Sequence, residues 1–181
     1  MAQTKSEKIV GDTLRKLQKD GEVLWGYKME AQLRGQYRTP APLDFLVVLA
    51  DGTYVPIEVK EQTGLSIPWG HWKEEQRRLL RELPNAMMLL RYTADLTRAS
   101  LNYWDFWWLV AGAWAPPPGG SGGGVKLSSI RDQDQREGAV QAVAAVVAGT
   151  SQGLDEGVGL STRGNPTKGL PSLLPAIHAL L

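Results

Sequence analysis

Apolar residues change their spacing along this chain in a way that separates helices from strands. Val10, Leu14 and Leu17 recur at i, i+4 and i+7 with Ile9 beside them, the stripe of an amphipathic helix. Thr4-Lys5-Ser6-Glu7 reads as a capping box that opens this helix, and Gly21 stops it after about Asp20. Lys8, Arg15, Lys16 and Lys19 give it a basic outer surface. From Glu22 to Gln32 the spacing falls to two, with Val23, Trp25, Tyr27 and Met29 alternating as in a strand. Leu43 to Leu49 is then nearly continuous apolar, and Thr53 to Lys60 is a β-favouring run in which polar groups emerge at the end. Ser66-Ile67-Pro68 predicts a second helix with proline at its first position. Its apolar positions are Trp69, Trp72, Leu79, Leu80 and Leu83, with Pro84 ending it and Gln76 on the Trp69/Trp72/Leu83 side. Ala86–Tyr92 and Leu101–Val110 read as two further strands, so the predicted order is α, β, β, β, α, β, β.

Chemistry enters where the third predicted strand turns polar. Asp44 is followed after thirteen residues by Glu58-Val59-Lys60, with an Asp51-Gly52 turn signal between them. Two carboxylates offer the hard oxygen ligands that Mg²⁺ prefers, and a lysine two residues along the strand points to the same face as Glu58. A metal held beside a lysine can deprotonate water and neutralise a phosphodiester transition state. That chemistry needs a particular register. A two-residue turn at Asp51-Gly52 would set Asp44 opposite Val59 and project it away from Glu58 and Lys60. A three-residue loop, Ala50-Asp51-Gly52 with the glycine left-handed, pairs Leu49 with Thr53 and Asp44 with Glu58. A bulge near Pro56, which cannot donate to a ladder, would have equal effect. Glu7 has two readings, a capping carboxylate or a third acidic group at the metal site. Gln76 has two as well, an amide at the core edge or one facing the DNA side of the site.

Length and charge narrow the class without choosing a substrate. The 181 residues suit one domain plus a tail, and the net charge of +1 excludes a globally basic DNA-coating protein. Residues 1–40 nevertheless hold eight Lys/Arg against five Asp/Glu. Lys28, and Arg34, Tyr37 and Arg38 on a Gly- and Pro-punctuated loop up to Pro40, can reach a DNA backbone or simply be solvated. The absence of cysteine excludes thiolate metal sites and disulfides and suits a cytoplasmic protein. No signal peptide or long apolar span is evident, and His71 and His178 are too few and too separated for a histidine metal cluster.

Seven tryptophans are many for this length. In Tyr103–Trp108, alternation puts Trp104, Phe106 and Trp108 on one face and Tyr103, Asp105 and Trp107 on the other. One set would be exposed in a monomer unless the tail or a second subunit covers it. Domain limits follow composition. Residues 1–114 form the expected catalytic domain, extended to 131 if Val125–Arg131 returns as an edge strand. Residues 115–124 are a Pro/Gly-rich linker or loop. Residues 125–181 are a tail with a short helix over Gly138–Ala148, otherwise expected to be flexible or loosely docked.

Ser6-Glu7 at a helix start, Leu43-Asp44-Phe45, Ile57-Glu58-Val59-Lys60 and a following helix with Gln76 resemble the PD-(D/E)xK nuclease superfamily over roughly residues 3–110. Within it the chain looks most like archaeal-type Holliday junction resolvases, with bacterial RecU-type resolvases second. Leu43 stands where the superfamily's name places proline, a backbone-shaping position that supplies no ligand. The resemblance implies an α/β fold with a restriction-endonuclease-like αβββαβ core, its mixed central sheet flanked by helices. It implies that Asp44 and Glu58 hold Mg²⁺, or Mn²⁺ in its place, with the Val59 carbonyl and Glu7, the latter direct or through water. Lys60 would position or deprotonate the attacking water, and Gln76 joins the site. The expected activity is a homodimeric endonuclease that nicks four-way DNA junctions in pairs, leaving 5′-phosphate and 3′-hydroxyl ends. Other nucleases of the superfamily, or a non-cleaving DNA-binding relative, are the alternatives.

Overall fold

The computed structural model describes residues 4–29, 32–34, 37–39, 41–63, 66–94, 104–115, 124–126, 158–161, 169–170 and 172–181. Helix α1, Lys5–Lys19, shows half of the expected capping box: the Thr4 hydroxyl accepts the Glu7 N–H, while the Glu7 carboxylate turns to Lys28. Strand β1, Val23–Lys28, follows, and then β2, Gln32–Arg34, and β3, Tyr37–Thr39, pair as a separate hairpin. The loop expected to carry Arg34 and Arg38 is therefore a two-stranded ribbon. Strands β4, Phe45–Leu49, and β5, Tyr54–Thr63, form the central hairpin.

A correction concerns the next segment. Ser66–Pro68 is a short strand, β6, and Trp69–His71 a single 3₁₀ turn, so helix α2 begins only at Glu74 and runs to Glu82. The residue before a proline is pushed toward extended backbone, and Ile67 is satisfied in a ladder opposite Val125. Strand β7, Met87–Ala94, runs parallel to β5, and β8, Trp104–Ala111, runs antiparallel to β7. The last elements are β9, Gly124–Lys126, which pairs with β6, then β10, Val158–Ser161, and helix α3, Leu173–Leu180. The main sheet is mixed and ordered β1-β4-β5-β7-β8-β10. No described helix is long and apolar enough to cross a membrane.

Alternation along the strands sorts the interior into two layers. Phe45, Val47, Val55, Ile57, Val59, Met87, Leu89, Trp107 and Leu109 bury against α1 and α3 on one side. Met88, Leu90, Trp108 and Val110 bury with Trp69, Trp72 and Leu80 on the other, under α2. Both Trp107 and Trp108 are thus covered within one chain. The tail supplies part of that cover, since Leu160, Leu170, Leu173, Leu174, Ala176 and Ile177 join the α1-side core. The expectation of a loosely docked tail does not hold for these residues. The short helix expected at Gly138–Ala148 lies outside the described residues.

Candidate active site

The register of the central hairpin decides whether a site can form. Phe45 pairs with Ile57 and Val48 with Tyr54, while Leu49 N donates to Thr53 O at 2.9 Å and Gly52 N to Leu49 O at 2.9 Å. This is the three-residue loop with Gly52 left-handed at φ +87°, a conformation glycine adopts without cost. Asp44 therefore stands opposite Glu58, and both share the α2 face with Lys60.

Asp44 lies at a bend where β4 begins, its N–H donating to Ile57 O and its carbonyl accepting the Met29 N–H at 2.8 Å. Its Oδ2 accepts the Val59 N–H at 2.8 Å. A strand residue aims its N–H and C=O toward the same neighbour, so the Val59 carbonyl also faces the Asp44 side. Glu58 is fully buried, and its Oε1 accepts from Lys60 Nζ at 2.5 Å and from Gln76 Nε2 at 2.7 Å. Gln76 sits in the first turn of α2, where its Oε1 accepts the Lys73 N–H at 3.1 Å and meets Lys60 Nζ at 3.3 Å. Of its two sequence readings, the structure supports a place at the site.

Glu58 Oε2 is buried without a hydrogen-bond partner. Such an oxygen is costly. Burial first, and the neighbouring Asp44 charge second, push the Glu58 carboxyl up to about 8, against the pull of Lys60. Burial likewise raises Asp44, opposed by the Val59 N–H and by Lys60 and reinforced by Glu7. The charges of Glu7 and Asp44 thus bear on the same small volume. The Glu7 carboxylate itself pairs with Lys28 Nζ at 2.5 Å. Among the described residues, no three Asp, Glu or His side chains close into a ready-made metal cluster. Two carboxylates, one of them with an unsatisfied oxygen, and a carbonyl on the same side still fit Mg²⁺, which keeps several waters and rarely uses an all-protein cage.

The sequence profile of a family described as "Nuclease-related domain" matches residues 2–109, a span that includes Glu7, Asp44, Glu58, Lys60 and Gln76. The chain belongs to the nuclease-related domain family. That family falls broadly among the PD-(D/E)xK-like nucleases, and the match singles out neither archaeal-type nor RecU-type resolvases. A comparison with curated proteins found no match.

Two further groups hold this nuclease-related domain's site in place and escaped the sequence reading. Glu61 on β5 accepts the Ser6 backbone N–H at 3.1 Å and the Ser6 hydroxyl, so it caps the start of the helix that carries Glu7. Buried Arg91 donates to Ser6 Oγ at 3.1 Å, lies 3.5 Å from Glu61 Oε2, and stacks 5.0 Å from the Trp107 ring centre. An arginine inside an apolar strand is the one sequence signal that pointed there. Of the expected DNA contacts, Lys28 is engaged with Glu7, Arg34 lies in β2, and Tyr37 and Arg38 lie in β3.

Proposed function

We propose that this nuclease-related domain is a Mg²⁺-dependent DNA endonuclease. The reading is carried by one observation: the hairpin register sets Asp44 opposite the buried Glu58, whose Oε2 has no partner, with Lys60 on the same face. Asp44, Glu58 and the Val59 carbonyl are the groups that would hold the metal, which when bound supplies Lewis acidity for water activation and neutralises charge on the phosphate. Glu58 and Gln76 fix the Lys60 ammonium between two acceptors, so its remaining donor capacity can orient a water or a phosphate oxygen. Gln76 in turn is fixed by the Lys73 N–H. Glu7 adds negative charge that favours a cation at the site, and Lys28 balances it on the outer side. Water attack with the 3′ oxygen leaving gives a 5′-phosphate and a 3′-hydroxyl.

Within that chemistry the finer reading is a resolvase that nicks four-way junctions as a homodimer, because paired nicks in opposing strands call for a two-fold pair of sites. Trp107 is buried on the α1 side and Trp108 under α2, and β8 also pairs with β10, so neither ring is open to a second copy. A dimer would therefore use another surface. The test incubates purified protein with a synthetic four-way junction and with linear duplex, in Mg²⁺ or EDTA, beside Asp44→Asn. Metal-dependent cleavage lost in the variant supports the nuclease, and symmetric paired nicks in the junction alone support the resolvase. Binding with no cleavage under any metal would leave a nuclease-fold DNA-binding module.

A further inference from the structure

The α2 face of the main sheet is covered only in part. Gly26 on β1 faces α1, where an added Cβ would meet Leu14 Cβ at 2.7 Å, and Lys28 turns the same way to reach Glu7. Trp25 and Tyr27 therefore project on the opposite face, the one that carries Asp44, Glu58 and Lys60. They are 57% and 49% exposed, and Tyr54 on β5 is 62% exposed. The register arranges them in rows across three strands. Trp25 pairs with Val48 and Val48 with Tyr54; Tyr27 pairs with Leu46 and Leu46 with Pro56. The next row holds Asp44 opposite Glu58.

This surface is continuous with the carboxylates. Leu46 is two residues from Asp44 and Val48 four, so the Tyr27 row lies about 7 Å from the Asp44 row and the Trp25 row about 13 Å, at strand rise. Those are one and two nucleotide steps of an extended strand. The Trp25 and Tyr27 ring centres are 6.0 Å apart and tilted by 42°, so neither ring covers the other's face. Exposed rings spaced along a sheet are the platform on which unpaired bases stack, since every base offers a π-face.

We infer that Trp25, Tyr27 and Tyr54 form a stacking platform for unpaired nucleobases next to the scissile phosphodiester. The nuclease would then select single-stranded or splayed DNA rather than intact duplex. The inference rests on the proposed site for its direction, because the carboxylates fix where the backbone must pass. It does not rest on turnover. A rigid duplex keeps its bases stacked on one another and offers these rings nothing to bind.

The experiment measures binding of a fluorescein-labelled single-stranded oligonucleotide and the matching duplex by anisotropy in EDTA, for the parent, Trp25→Ala, Tyr27→Ala and Trp25→Phe. Stacking predicts a loss of roughly tenfold in single-strand affinity for each alanine variant, recovery in Trp25→Phe, and little change for duplex. Equal affinities in parent and alanine variants overturn the platform, as does a parent that does not bind single strands. Sedimentation completes the test: a parent dimer that splits in Trp25→Ala would make this face an interface between copies and also overturn it. Platform and nuclease fail separately. Trp25-dependent binding by a protein that cleaves nothing in Mg²⁺ removes the nuclease and keeps the platform, whereas cleavage with undiminished binding in the variants does the reverse.

Discussion

The Asp44 carboxylate takes the place of a strand: its Oδ2 accepts the Val59 N–H at 2.8 Å, a bond that β4 would have made had it continued. One side chain thus ends the ladder and begins the site. Asp44→Asn keeps an oxygen for that N–H and removes only the charge. It should lower cleavage by about a hundredfold or more while leaving junction binding and melting temperature close to the parent. Asp44→Ala should in addition cost about 1–3 kcal/mol by stranding the Val59 N–H. Near-parental cleavage by Asp44→Asn would falsify the assignment.

Glu7 begins the helix yet spends its carboxylate on Lys28 rather than on a capping box. Glu7→Gln should reduce cleavage steeply while lowering the melting temperature by no more than about 2–4 °C, because a partly exposed ion pair contributes at most about 1 kcal/mol. Full activity in this variant would leave Glu7 a purely structural residue.

The buried Glu58 carboxyl contributes to the pH dependence of the metal-free protein. Its carboxyl rises from the ordinary 4.5 to about 8 in the fold, so the folded chain holds this proton more tightly than the unfolded one. The stabilising contribution is complete below 4.5, is lost as pH climbs toward 8, and stays absent above. In EDTA the parent should therefore melt higher at pH 6 than at pH 8.5, and Glu58→Gln should flatten the difference. Each kcal/mol corresponds to about 2–4 °C for a chain of this size. A parent and variant with identical pH profiles of melting would contradict a buried carboxyl that holds its proton in the fold.

Gln76 touches Glu58, Lys60 and the Lys73 N–H. Gln76→Ala should lower kcat about tenfold or more with KM for DNA nearly unchanged. Single-turnover kinetics in Mg²⁺ separate the two quantities, and a change confined to KM would move Gln76 from positioning to DNA contact.

Arg34 and Arg38 sit on neighbouring strands of the β2–β3 ribbon, a sheet separate from the one that carries the carboxylates. The double change Arg34→Ala with Arg38→Ala should weaken four-way junction and duplex together and reduce the salt dependence of binding, as loss of phosphate contacts does. A loss confined to one DNA form would give the ribbon a shape-reading role instead.

How far the sequence spoke depended on the range of the forces involved. The odd-length loop was legible because Gly52 and strict alternation leave one register in which Asp44 meets Glu58. The late start of α2 was not, because Pro68 is compatible with either a helix opening or the extended strand that pairs with Gly124–Lys126, and the partner is distant. Helix α3 hid behind Pro175, which sits in its first turn, where no backbone N–H has an intrahelical acceptor. Strand β10 is only Val158–Ser161, too short to show a period. The Ser6–Glu61–Arg91 group joins residues from three elements, and nothing local connects them.

The Thr13 hydroxyl accepts the Leu170 N–H at 2.9 Å across 157 residues of chain, and α3 closes the same core immediately afterwards. This has a consequence for biosynthesis. While the ribosome is still making residues 111–169, the sheet's α1 side lacks Leu170, Leu173, Leu174, Ala176 and Ile177, although every candidate catalytic residue has already emerged. The nascent chain must carry a half-open apolar layer through that interval, and contacts of such long sequence separation form slowly. The candidate site therefore gains its full apolar backing only when α3 docks, well after the residues of the motif have been made.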